Sequence, residues 1–202
     1  TPWWGDNKKL DFPRGYHIEY GGGMGMPSYG FGWGIEGLNG KENYTRDGLR
    51  KAAGGYGATL KEDYRRYYGS YVGFAGRGEP VPREDNYCEI DPNVVDKYGI
   101  PVVRFNYKWS DYEIKQAKHM QDTFEQIIQE MGGEALGKKP GADTNYGLAD
   151  PGRIIHEVGT ARMGNNSSTS VVNSNCQAHD VKNLFLADSS PFVSQGDKNA
   201  TW

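Results

Sequence analysis

The segment Ser110 to Met131 restricts the possible folds of this chain more than any other. Ser110-Asp-Tyr-Glu113 has the form of a capping box. In that arrangement a Ser at the helix start and a Glu three residues on satisfy the free N–H groups of the first turn. Ile114, Ala117, Met120, Phe124, Ile127, Ile128 and Met131 then recur at i, i+3 and i+4, which places them on one face of a helix. Gly132 and Gly133 end the run. The spacing predicts a helix over 110–131 with its apolar stripe in the core. His119 falls with Lys115, Lys118 and Asp122 on the opposite face, where a solvated surface residue is expected.

The rest of the chain reads as short extended runs between turns. Tyr16 to Tyr20 is a weakly alternating run bounded by glycine, and is read as a strand. Thr45 to Tyr68 has helical spacing broken by Gly54, Gly55 and Gly57, giving two short helices or one interrupted helix. Tyr67 to Ala75, Asn86 to Ile90 and Val102 to Tyr107 are aromatic and β-branched enough for strands. Gly76 to Pro82 and Asp91-Pro-Asn93 carry turn chemistry, and Leu136 to Asp150 reads as a loop. Gly32-Trp-Gly34-Ile-Glu-Gly37 matches the dinucleotide fingerprint in letters only. No hydrophobic strand precedes it and no amphipathic helix follows, so chance among 29 glycines explains it better.

Several classes of partner are disfavoured. A net charge of −3 gives no electrostatic footprint for nucleic acid or an anionic membrane surface. No apolar run approaches the length of a membrane span. The four histidines at 17, 119, 156 and 179 have no ligand spacing for a metal, and His156-Glu157 lacks the second His of a zinc-protease motif. Cys88 and Cys176 could pair or stay reduced, and one such pair does not decide the compartment.

The C-terminal quarter carries the chemistry. It contains Arg153-Ile-Ile-His156-Glu-Val-Gly159-Thr160-Ala-Arg162-Met163-Gly164, then Asn183-Leu-Phe-Leu-Ala-Asp188-Ser-Ser-Pro191, then Gly196-Asp-Lys-Asn199-Ala200-Thr201. This order resembles the C-terminal signature of the glucose-methanol-choline (GMC) flavin oxidoreductases. In that family a His before Gly-Thr-x-x-Met is paired with a His or Asn near the C-terminus, and the strand between them ends in an acid that touches FAD. The last block is similar to the family's Asn-Pro-Thr, with Ala200 in place of Pro. Asp11-Phe-Pro-Arg14-Gly15-Tyr16 and the run from Gly78-Glu79 to Gly99-Ile-Pro101 also resemble family segments.

The resemblance implies an α+β fold: an antiparallel sheet with helices on one face as a substrate-binding domain over 1–150. Residues 151–202 would supply the C-terminal return strand, Asn183 to Ala187, of an α/β FAD-binding domain. It implies oxidation of a CH–OH group to a carbonyl, with His156 as the base and Asn199 holding the substrate oxygen. FAD would be contacted by Asp188, Asn199 and Ala200. Histidine suits the task because its charge changes near neutral pH, and the imidazolium formed would stabilise a developing alkoxide. On their own, His156 would more often be a structural His, Asn199 a helix cap and Asp188 a turn residue. Arg162 and Met163 are expected to pack and orient.

The Gln195 to Thr201 ending looks most like the bacterial sugar-dehydrogenase branch, which implies a sugar or sugar-acid substrate. The implied partners are that substrate, an N-terminal FAD-binding part of the same protein and an electron-acceptor subunit. The branch likeness leaves a cytoplasmic and a periplasmic location both open. The chain starts without Met and ends where a helix is expected, and so reads as the back portion of a longer flavoprotein. The alternatives are a flavin oxidase on a non-sugar alcohol and a non-catalytic carbohydrate-binding module.

Overall fold

The computed structural model describes residues 11, 15–22, 35–36, 57–67, 72–133, 135, 139–151 and 156–200. In chain order these form β1 (Tyr16–Gly22), β2 (Ile35–Glu36), α1 (Gly57–Tyr67), β3 (Val72–Gly78), β4 (Tyr87–Val95), β5 (Pro101–Asn106), α2 (Asp111–Glu130) and a 3-10 turn (Ala142–Gly147). The expected helical stretch before Gly57, the glycines of the rejected fingerprint and the end of the chain after Ala200 lie outside the described residues.

The antiparallel character holds, divided between two small sheets. One has the order β1-β3-β2; the other is the β4–β5 hairpin. β1 and β3 are antiparallel with Tyr16 opposite Gly78 and Tyr20 opposite Phe74. Ile35–Glu36 pairs with β3, so this part of the fingerprint-like segment is extended chain and not the start of a helix.

Helix α2 packs on β3. Phe124 and Ala117 are fully buried, and with Met120, Ile128, Tyr16 and Phe74 they form the core. The rings of Phe74 and Phe124 stack with centroids 5.9 Å apart. The close approach requires glycine on β3: a Cβ on Gly76 would overlap Met120 Sδ, and one on Gly78 would overlap the Gln116 side chain. At the helix start Glu113 accepts hydrogen bonds from Ser110 N (2.7 Å) and from Val81 N (3.0 Å). It therefore closes the expected capping box and also ties the helix to the segment after β3.

Three expectations change here. His119 is not a solvated residue: Tyr16 Oη lies 2.7 Å from its Nδ1, and β1 covers it. Burial pushes the imidazole below its ordinary range, against the opposing charge of Asp122 and Asp11. Met131, placed in the core by the periodic pattern, is exposed, because the helix ends one residue earlier. Asp91-Pro-Asn93 does not interrupt the strand. It lies within β4 where the register shifts between Ile90 and Val95, and Asp91 Oδ1 accepts Asn93 N and Val94 N.

The hairpin loop is set by Asp96 and Gly99. Asp96 Oδ1 accepts the Tyr98 and Ile100 amides, and Gly99 takes φ +81°, which a side chain would strain. Within the predicted loop 136–150, Asn145 and Tyr146 adopt left-handed backbone and Tyr146 packs beside the core.

Residues 156–200 contain no helix or multi-residue strand. Their backbone is joined through single bridges, Met163 to Val172, Val172 to Ala178 and Gln177 to Phe185. The expected strand Asn183 to Ala187 is thus one bridge at Phe185, with Leu184 and Phe185 half exposed. Among the described residues no neighbouring chain continues its ladder. No described helix is long and apolar enough to cross a membrane.

Candidate active site

The segment after β3, the end of β5, the start of α2 and the C-terminal loops enclose a cleft of about 310 Å³. Both His156 and Asn199 line it. They are 43 residues apart in sequence.

Backbone geometry brings the two segments together. Ala161 N donates to Ser190 O (3.2 Å) and Met163 N to Pro191 O (2.8 Å), so the stretch after His156 runs beside the stretch after Asp188. Gly159 takes φ +81°, and a Cβ there would meet Phe192 O at 3.3 Å. A glycine at this position lets the two backbones touch. Arg162 Nε donates to Thr169 O at 3.0 Å, anchoring the outer turn. The loop carrying Asn199 is closed by Gln195 Nε2, which donates to Lys198 O at 2.7 Å. Gln195, Gly196, Asp197 and Lys198 all line the cleft with Asn199.

Asp188 stands outside the cleft lining, on exposed surface. Its Oδ1 accepts both Ser190 N (2.9 Å) and Ser190 Oγ (2.5 Å). The Ser190 hydroxyl, followed by the Ser190 amide, holds the carboxyl below its ordinary range, so it is an ionised acceptor at neutral pH. Ala200, in a turn, is the last described residue.

The sequence reading missed the aromatic wall. Tyr107 and Trp109 line the cleft and meet edge to face, ring centroids 5.1 Å apart. Trp109 Nε1 donates to Ala149 O at 2.9 Å, which fixes the indole. Burial, with Glu113 and Glu157 nearby, pushes the Tyr107 phenol up to about 12. It stays protonated and can donate a hydrogen bond into the cleft. The available signal was the Tyr-x-Trp spacing directly after a strand, which keeps both rings on one side while the chain stays extended. Among the described residues no cluster of His, Cys, Asp and Glu could hold a metal ion. Cys88 and Cys176 are both free thiols.

Comparison with known proteins defines the class. The family model described as GMC oxidoreductase matches residues 82–202, which include the aromatic wall, α2 and both segments that meet at the cleft. The chain belongs to the GMC oxidoreductase family. It is 32% identical over 146 residues to a 2-methyl-1,2-propanediol dehydrogenase of Mycolicibacterium austroafricanum, covering 72% of this chain and 25% of that protein. It is 28% identical over 143 residues to the gluconate 2-dehydrogenase flavoprotein of Pantoea cypripedii, covering 70% and 23%. To the fructose dehydrogenase large subunit of Gluconobacter japonicus it is 27% identical over 166 residues, covering 82% and 29%. The chain thus spans about a quarter of the length of these curated relatives.

Proposed function

We propose that the protein containing this chain oxidises a CH–OH group, of a sugar or sugar acid, to a carbonyl. Residues 1–150 serve as the substrate-binding part and 151–202 as the return to an FAD-binding part. The observation that carries the reading is that His156 and Asn199, far apart in sequence, line one cleft.

His156 takes the hydroxyl proton. An imidazole that gains a proton next to an oxygen gaining negative charge stabilises that charge where it forms. Asn199 offers an N–H donor and a carbonyl acceptor, so it can hold the substrate oxygen without competing for its proton. Tyr107 and Trp109 give the cleft an aromatic side with a protonated phenol, and an aromatic face suits stacking against the C–H face of a polyhydroxylated ring.

The residues present fit FAD. An ionised, exposed carboxylate at Asp188 retains acceptor capacity for the hydroxyls of FAD, and Asp188 with the backbone at Asn199-Ala200 would hold the cofactor. Bound there, FAD would supply the acceptor for the hydride that leaves the substrate carbon. The names of the relatives favour a dehydrogenase with a separate electron acceptor, a subunit of the same enzyme being the partner proposed.

Anaerobic stopped-flow reduction of the full-length holoprotein tests this. His156→Ala should keep the yellow flavin and lower the reductive rate by about a hundredfold or more. An undiminished rate would remove His156 as the base. Assays on sugars and on aryl and aliphatic alcohols, with oxygen and a dye as acceptors, resolve the substrate and the electron acceptor.

A further inference from the structure

The cleft loop from Gln195 to Asn199 is attached to a strand at the other end of the chain. His17, on β1, places Nδ1 2.9 Å from Asp197 Oδ2, a contact between residues 180 apart in sequence. Its Nε2 lies 3.2 Å from Glu19 Oε1. Arg77, opposite His17 in the β1–β3 ladder, donates from a guanidinium nitrogen to Glu19 Oε2 at 2.6 Å. At the other end Lys198 Nζ reaches the same Asp197 oxygen at 3.3 Å. A line of contacting polar side chains, Arg77–Glu19–His17–Asp197–Lys198, therefore runs from the three-stranded sheet into the cleft loop. The central pair is largely shielded, at 17% and 22% side-chain exposure. Water competes less for such a pair than for an open surface contact.

We infer that His17 is a positioning residue. Through Asp197 it clamps the 195–199 loop to β1 and so fixes the Asn199 carboxamide over the cleft. The inference rests on the proposed role of Asn199. A group that only orients the substrate contributes as long as its place is held to a fraction of an ångström, and misplacement by about 1 Å can cost about a hundredfold in rate. The loop needs such a hold. It contains no helix or strand; Gln195 and Lys198 close it internally, and the His17–Asp197 contact joins it to the sheet.

The test uses the full-length holoprotein with His17→Ala, His17→Gln, Asp197→Asn and the His17→Ala/Asp197→Asn double variant. His17→Ala and Asp197→Asn should each lower kcat about tenfold with KM changed less than about threefold. The double variant should be no slower than the worse single variant, because His17→Ala removes the donor and Asp197→Asn the carboxylate of one and the same link. His17→Gln keeps a side-chain N–H donor and should recover part of the rate.

Hydrogen exchange by mass spectrometry gives a readout independent of turnover. Amides 195–200 should exchange faster in His17→Ala while those of α2 keep their wild-type rates. Unchanged exchange at 195–200 overturns the clamp. Faster exchange with unchanged kcat overturns the positioning role, as does a multiplicative double variant or a loss confined to KM. If His17→Ala does not fold, Asp197→Asn on the loop side carries the same arms. Full activity of His156→Ala would instead remove the proposed chemistry, and the exchange result would still decide the clamp.

Discussion

The α2 region and the 156–200 region are held together by different means. Around α2, stability comes from apolar burial: Phe124, Ala117 and Met120 are almost completely enclosed, and β3 glycines admit the helix at short range. In 156–200 the enclosed side chains are few, Val172, Ala178 and Pro191 being the main ones. Single backbone bridges and asparagine turns do the holding. Asn173 Oδ1 accepts the Asn175 and Gln177 amides, and Asn166 Oδ1 accepts Ser168 N and Oγ. A packed core tolerates little change of volume but needs few particular polar groups. A bridged coil depends on each turn residue individually, and it can present backbone and side chains to a cleft without the spacing rules of a helix.

The contrast can be broken by substitution. Phe124→Ala should cost about 4 kcal/mol, from lost transfer energy plus the cavity left behind. Chemical unfolding measures it, and exchange should rise across α2, β1 and β3 more than in 161–192. Equal acceleration in both regions would mean that they open as one unit. Asn173→Ala removes the acceptor for two amides and the contact from Asn173 Nδ2 to Gln177 Oε1. It should cost about 1–2 kcal/mol and loosen 171–186 while α2 stays protected.

The smallest effect is acid-linked. Burial raises the carboxyl of Glu19, but hydrogen bonds from His17 and Arg77 outweigh it and hold the group below its ordinary 4.5. A group lowered in the folded state adds stability above its unfolded value, and that stability fades as pH falls through the folded value. Glu19→Gln should lower stability at pH 7 slightly, and the two curves should converge as pH falls below about 4.5. Urea midpoints across pH 3 to 7 give the answer, and parallel curves for the two proteins would contradict it.

These regions also differ in how much of them could be read in advance. The α2 stripe and its capping box follow from local spacing, and the structure reproduces them to within a residue. His119 did not follow, because Tyr16, which covers it, lies 103 positions away and no local rule reports that. The hairpin strands were legible from composition, whereas the strand read at Asn183 to Ala187 has the right residues but makes a single bridge. Pattern gives a preference for extended chain, and a ladder needs a neighbour to pair with. The nearness of His156 and Asn199 to one cleft has no periodic signature at all. It was available only through a motif whose parts are separated by an irregular coil, and the Tyr107–Trp109 wall went unread for want of any such motif.

The β4–β5 hairpin has one further consequence. Ile90, Val94, Val95, Tyr98, Ile100 and Val103 are each at least half exposed, and among the described residues neither outer margin of this ribbon is paired. Open strand margins with bare aliphatic flanks template the addition of further chains. A preparation of this polypeptide by itself should therefore scatter more light as its concentration rises, and sulfate, which strengthens apolar association, should make that worse.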